Sequence, residues 1–457
     1  MMWTLTQAVA QAGGSLHGQD RAFAGVGTDS RADCTGQLFI ALRGENFDGH
    51  DYVAAAQKAG AVAALVDRPL SLDLPQWVVD DTRLGLGRLA AAWRDRFPGR
   101  VIAITGSNGK TTVKEMLAAI LARAGRVRAT QGNLNNDIGM PLTLLGARDE
   151  DFLVLEMGAN HPGEIGYMTE IARPDLALIT NAGRAHLEGF GSLGGVARAK
   201  GEIARGLSPD GLFLVAGDSP HLGLWRELSA GRRLLTFSLD DGTAEGADVT
   251  ARSDVIRVAW DDDGFRTEFS ARVDAREIPL RLRLAGRHNV RNALAATAAA
   301  LALGIDERLI REGLAGLQPV KGRLCPRRCG EFGVIDDTYN ANPDSIAAAI
   351  DVLAGLSGRR WLVLGDLGEL GPDAPRLHAE VGAVARAAGI DRLITAGTLS
   401  ESASRAFGEG GRHFADRQTL ADWLPAELAA GDRVLVKGSR LARMELIVNA
   451  LCAGSGL

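Results

Sequence analysis

Eight consecutive residues hold the plainest chemistry in the chain: Thr105-Gly106-Ser107-Asn108-Gly109-Lys110-Thr111-Thr112. They lie between an apolar run, Arg100 to Ile104, and a helical stretch that begins at Lys110. Glycines let backbone N–H groups turn toward phosphate oxygens, and the start of a helix adds a favourable dipole. Lys110 can reach the outer phosphates of a nucleotide, and the Thr111 hydroxyl can ligate Mg²⁺. The general phosphate-loop pattern asks for glycine at position 104, where this chain has Ile104. A purely structural turn is the alternative. The strand before it and the helix after it favour a nucleotide.

Other polar groups punctuate apolar surroundings. Glu156 follows the run Phe152 to Leu155, and Asn181 and His186 follow Leu176 to Ile179. Ligands of open α/β sheets gather at the carboxyl ends of strands. A carboxylate and an imidazole there could complete an Mg²⁺ site with Thr111. Taken singly, Glu156 could be a helix N-terminal carboxylate and His186 a loop or core histidine. Lys200, on a helical stretch, reads from its residues alone as a solvated lysine.

These groups need a frame to hold them. The first 82 residues alternate short strands (Gln37 to Leu42, Ala61 to Val66, Gln76 to Val79) with one helix, Tyr52 to Ala59, and read as a small α/β domain. Residues 83–316 open with a helix, Arg83 to Arg96, and continue as strands alternating with helices, which predicts a parallel sheet. Within them, residues 232–285 read as an antiparallel hairpin insertion, Val255 to Trp260 against Phe265 to Ser270. An alanine-rich helix, Asn289 to Leu303, closes that domain. Residues 317–457 alternate again and predict a Rossmann-like third domain. The fold class is therefore α/β in three domains: small N-terminal, central phosphate-loop and C-terminal Rossmann-like.

Composition excludes several classes. Of 457 residues, 46% are hydrophobic and 23% charged, ordinary globular usage. The net charge of −5 comes with no long basic run, which argues against nucleic acid as a partner. The longest apolar stretch, Ala293 to Gly304, falls short of the roughly 20 residues needed to cross a bilayer. No secretory leader pattern is evident, so a cytoplasmic location is expected. Cys34, Cys325, Cys329 and Cys452 form no zinc pattern and are expected to be free thiols.

The motifs resemble those of the Mur ligases, the ATP-dependent amide ligases of peptidoglycan precursor synthesis. Thr105-Gly106-x-Asn108-Gly109-Lys110-Thr111 is that family's form of the phosphate loop, which accounts for Ile104. Further matches are Asp29-Ser30-Arg31, Gly132-Asn133-Leu134-Asn135-Asn136, Gly286-Arg287-His288-Asn289-Val290-x-Asn292 and Lys437-Gly438-Ser439-Arg440. Tyr339-Asn340-Ala341-Asn342-Pro343 is diagnostic of the branch that joins D-alanyl-D-alanine to UDP-N-acetylmuramoyl-tripeptide. The resemblance spans nearly the whole chain.

It also implies roles. Glu156 and His186 would hold magnesium with Thr111. Lys200 would be the lysine carbamylated by CO₂, its new carboxylate helping to hold a second Mg²⁺. Asn289 and Asn292 would approach the adenine, Arg323 the ATP phosphates and Asp337 the ribose. Ser30 and Arg31 would hold the uridine diphosphate. Asn133, Asn135 and Asn136 would line the path of the muramoyl peptide, and Tyr339, Asn340 and Asn342 would face the dipeptide. ATP would convert the tripeptide carboxylate to an acyl phosphate for attack by the dipeptide amine, in a monomer whose partners are small molecules. Competing readings are a sister ligase adding one amino acid to a shorter muramoyl peptide, a phosphate-loop switch, and a scaffold without catalysis.

Overall fold

The computed structural model describes residues 2–185, 187–240, 246–261 and 264–453. His186, Asp262 and Asp263, on which sequence expectations fell, lie outside the described residues.

The first sheet has five strands in the order Ser15–His17, Gln76–Val78, Ala63–Val66, Gln37–Ile40, Gly25–Gly27. All neighbours but the first pair run parallel. Ala63–Val66 is buried at every residue, as a strand covered on both faces must be. The helix Thr82–Arg94 follows, its N-terminus capped by Asp81, whose carboxylate accepts from Leu84 N at 2.9 Å. It packs on the helices Gly139–Leu145 and Glu164–Ala172. Trp93 Nε1 donates to Ala147 O at 2.9 Å.

The second sheet is the largest, with ten strands. Val127–Ala129, Phe152–Glu156, Arg100–Thr105, Leu176–Ile179, Leu212–Ala216, Arg233–Asp240 and Val249–Arg252 lie side by side and parallel. Gly264–Val273 then turns antiparallel and pairs on its flanks with Arg257–Asp261 and Arg276–Leu282. Two expectations are corrected here. The parallel sheet runs on through Arg252, and the antiparallel part has three strands in the same sheet. Arg233–Asp240 and Val249–Arg252 carry no recognisable helix between them, so local pattern could not assign them a parallel crossover. The helix Arg287–Ala302 covers this sheet with an almost continuous buried alanine face.

The third sheet has six strands: Cys325–Cys329, Phe332–Asp337, Arg433–Lys437, Arg360–Gly365, Arg392–Ala396, Gly411–Phe414. Only the first pair is antiparallel. Cys329, on that edge strand, is joined to Cys452 of the final helix Glu445–Cys452, with Cα atoms 4.8 Å apart. This corrects the expectation of four free thiols. The partners are 123 residues apart in sequence, and only the sheet order brings them together. Cys34 and Cys325 are free.

Apolar burial joins the units unequally. One continuous core runs from Met2 and Trp3 through Leu86 and Leu89 to Leu153, Ile165 and Trp225, so the first two units share it. The third unit has cores of its own, which take in only Phe265, Ala285 and the flanking Trp260 from the second.

Candidate active site

A cleft of about 810 Å³ opens where the carboxyl ends of the second and third sheets face one another. Every nominated residue lines it except Gly106, Lys200, Ser30, Arg31 and the undescribed His186.

The phosphate loop is built by two glycines. Gly109 sits at φ +81° as the residue before the helix Lys110–Leu121, and a Cβ there would strike the Asn292 side chain. Gly106, at φ +145°, has Thr180 Oγ1 where a Cβ would stand. Asn181 fixes the loop between them: its Oδ1 accepts from Asn108 N at 3.0 Å and its Nδ2 donates to Asn108 O at 2.9 Å. Ser107 Oγ accepts from Gly183 N at 2.9 Å. The loop is thus held in shape by the turn after the neighbouring strand.

Lys110 Nζ donates back to Gly106 O at 2.7 Å. Burial pulls its ammonium below the usual lysine range, Glu156 opposes this, and Arg323 adds to it. A cation short of counter-charge at this place suits a polyphosphate.

Thr111, Glu156 and Arg323 meet at one point. Thr111 Oγ1 donates to Glu156 Oε2 at 2.8 Å and accepts from Arg323 Nη2 at 2.9 Å. Asn135 Nδ2 donates to Glu156 Oε1 at 2.9 Å. Arg323 comes from the third unit, so the two sheets touch at this hydroxyl. Mg²⁺ takes hard oxygen ligands and keeps several waters beside substrate phosphates. One hydroxyl and one buried carboxylate, with no cage of three or more His, Cys, Asp or Glu among the described residues, fit such an ion.

The third unit contributes more. Arg323 lies over the Tyr339 ring, 4.3 Å from its centroid. Lys437 Nζ binds Asp337 Oδ2 at 2.6 Å and Asn340 O at 3.0 Å, which holds the Tyr339 turn. Asn342 Nδ2 donates to Asn108 Oδ1 at 2.8 Å, directly onto the phosphate loop. Arg184 of the second unit binds Asp344 at 2.7 Å and Glu380 at 2.5 Å. Asn289 and Asn292 are buried and bonded to each other at 3.2 Å. His288 beside them is pushed down by burial to about 4, which keeps its ring neutral at pH 7.

Lys200 lies outside the cleft lining, 1% exposed, with no hydrogen-bond partner for Nζ. It faces the Phe190 ring at 5.2 Å. Burial first, and Lys110 second, lower its pKa to about 7. The reading of Lys200 as a solvated lysine is corrected by this burial. Arg31 is exposed and paired with Asp29 at 2.8 Å, away from the cleft. Sequence reasoning passed over Arg184, Asp344 and the Lys437–Asp337 pair. Their partners are 160 and 100 positions apart, so no local pattern marks them.

The chain matches three family models in order: the Mur ligase family catalytic domain over residues 22–96, the Mur ligase middle domain over 104–300 and the Mur ligase glutamate ligase domain over 322–440. It is 46% identical to the UDP-N-acetylmuramoyl-tripeptide–D-alanyl-D-alanine ligase of Escherichia coli, over 98% of each chain. Its fold superposes on MurF from Acinetobacter baumannii with a TM-score of 0.91 and 36% identity, covering 99% of both chains. MurF from Thermotoga maritima in complex with ADP gives 0.83 and 28%, covering 94% of this chain and 98% of that one. With its phosphate loop, its three large sheets and these likenesses along its whole length, the chain belongs to the Mur ligase family.

Proposed function

We propose that this chain is an ATP-dependent, ADP-forming amide ligase that joins D-alanyl-D-alanine to UDP-N-acetylmuramoyl-tripeptide. The observation that carries the reading is the meeting of Lys110, Thr111 and Glu156 with Arg323 from a different sheet. The domains run 1–82, 83–316 and 317–457, one for each sheet. The chain acts as a monomer in the cytoplasm. No helix among the described residues is long and apolar enough to cross a membrane.

A carboxylate is a poor acyl donor, and its reaction with ATP brings two anions together. The amides of residues 106–112 cradle the phosphates, with Lys110 and Arg323 offsetting their charge. Thr111, Glu156 and His186 would hold Mg²⁺, which supplies further charge neutralisation on the phosphate oxygens. Asn289 and Asn292 meet the adenine, and Asp337 the ribose. Ser30 and Arg31 hold the uridine diphosphate, while Asn133, Asn135 and Asn136 guide the muramoyl peptide toward the phosphate loop. Tyr339, Asn340 and Asn342 place the dipeptide amine for attack on the acyl phosphate. The third unit, closed over the loop, excludes water that would hydrolyse that intermediate.

The buried, unpartnered amine of Lys200 supports carbamylation. A neutral amine adds to CO₂, loses a proton and becomes a carboxylate, which would supply a further oxygen ligand.

The test is ADP release from MgATP with UDP-N-acetylmuramoyl-tripeptide and D-alanyl-D-alanine supplied singly and together. Release that needs both, with a pentapeptide product by mass, is expected. Release only with a shorter muramoyl peptide and a free amino acid would assign the chain to a sister ligase instead.

A further inference from the structure

Six cations line the cleft among its described residues, and most are already engaged. Lys437 is held by Asp337, Arg184 by Asp344 and Glu380, and Arg291 by Asp218. Lys110 and Arg323 lack an acidic partner but sit on the phosphate loop, bonded to Gly106 O and Thr111 Oγ1. Arg440 remains. It is exposed, in the short turn Arg440–Ala442 after the strand Arg433–Lys437, and its guanidinium carbon stands 6.0 Å from the Tyr339 ring centroid.

Two guanidiniums therefore lie near the Tyr339 ring. Arg323 lies 4.3 Å from the centroid and donates to Thr111, while Arg440 lies 6.0 Å from it and lines the cleft. The two guanidinium carbons are therefore at most about 10 Å apart, near enough for one extended dipeptide of about 7 Å to approach both. We infer that Arg440 binds the C-terminal carboxylate of the incoming dipeptide, with the amine placed near Arg323 and Thr111. This rests on the ligase reading above and names the group that reads the dipeptide's free carboxylate. A guanidinium grips a carboxylate through two parallel N–H donors, so it selects an acid over an amide.

The experiment compares D-alanyl-D-alanine with D-alanyl-D-alaninamide as acceptors for the wild-type enzyme, Arg440→Ala and Arg440→Lys. Wild type is expected to favour the acid in kcat/KM by about 10- to 100-fold. Arg440→Ala should raise KM for the acid by that factor, leave the amide and the KM for ATP unchanged, and abolish the preference. Arg440→Lys should restore part of it. An Arg440→Ala enzyme that still prefers the acid, or that loses acid and amide equally, overturns the carboxylate subsite while the ligase reading stands. A wild-type enzyme that ligates neither acceptor, yet ligates a free amino acid, overturns both.

Discussion

Lys200 has lost its hydration without gaining a hydrogen-bond partner, and that sets a pH dependence with a definite sign. Its pKa falls from 10.5 to about 7 in the fold because burial disfavours the charged form. Below about pH 7 the folded and unfolded chains both carry the proton, and the fold bears the full cost. Between about 7 and 10.5 the unfolded chain binds more protons, so stability rises with pH. Denaturant titrations across that range should show the rise in the wild-type enzyme held free of CO₂. Lys200→Met should flatten it, and an equal slope in both proteins would reject the buried-amine account. For turnover, Lys200→Ala should lose most activity, and a small added carboxylate should restore part. At this scale the sequence was most legible where a residue's place in the cleft follows from its position near the end of a strand. Thr111 and Glu156 could be found that way, since strand ends collect ligands. Lys200 could not, because helix periodicity around it says nothing about what packs above the helix.

Elements explain how one asparagine serves two ends. Asn342 accepts from Ser345 N at 2.9 Å as the cap of the helix Pro343–Ala354, and its Nδ2 donates to Asn108 of the phosphate loop. Asn342→Asp keeps the cap and loses the donor. The melting temperature should hold, while KM for ATP should rise about tenfold, in keeping with a lost hydrogen bond beside a charged ligand. Asn342→Ala should lose about 1 kcal/mol of stability as well. Thermal melts beside steady-state kinetics separate the two. Should both variants melt together, below wild type, the cap and the cross-link are not separable. The helices and parallel strands here were legible from apolar runs and glycine stops. The edge strand Cys325–Cys329 was not, because Arg327 and Arg328 break its apolar pattern; Arg327 instead sits 4.0 Å from Asp336 of the neighbouring strand.

For the whole molecule, the contacts that join the second and third units at the cleft are polar. Arg184 reaches Asp344 and Glu380, all three about one-third exposed. Such pairs contribute about 0.2–1 kcal/mol each and are screened by salt. Arg184→Ala should therefore lower kcat/KM for ATP several-fold at low salt, and the deficit should shrink at high salt. Exchanging the charges, Arg184→Glu with Asp344→Arg, should recover part of the loss. A deficit indifferent to salt and to the exchange would mean that Arg184 acts through local packing. None of this pairing was readable beforehand, because it depends on how two separately folded sheets come to face each other.

The unequal seams bear on how such a chain tolerates recombination with its relatives. The first two units are joined by one apolar core running from Met2 to Trp225. A crossover within it would mix side chains shaped for different neighbours. The third unit brings its own cores, and it meets the second through asparagine, arginine and aspartate at the cleft and through Trp260, Phe265 and Ala285 beside it. Exchange of everything beyond residue 317 disturbs the third unit's cores only where Trp260, Phe265 and Ala285 enter one of them. Modular inheritance of the third unit is thus compatible with this architecture, and a hybrid cut there would fold first and reveal its substrate preference second.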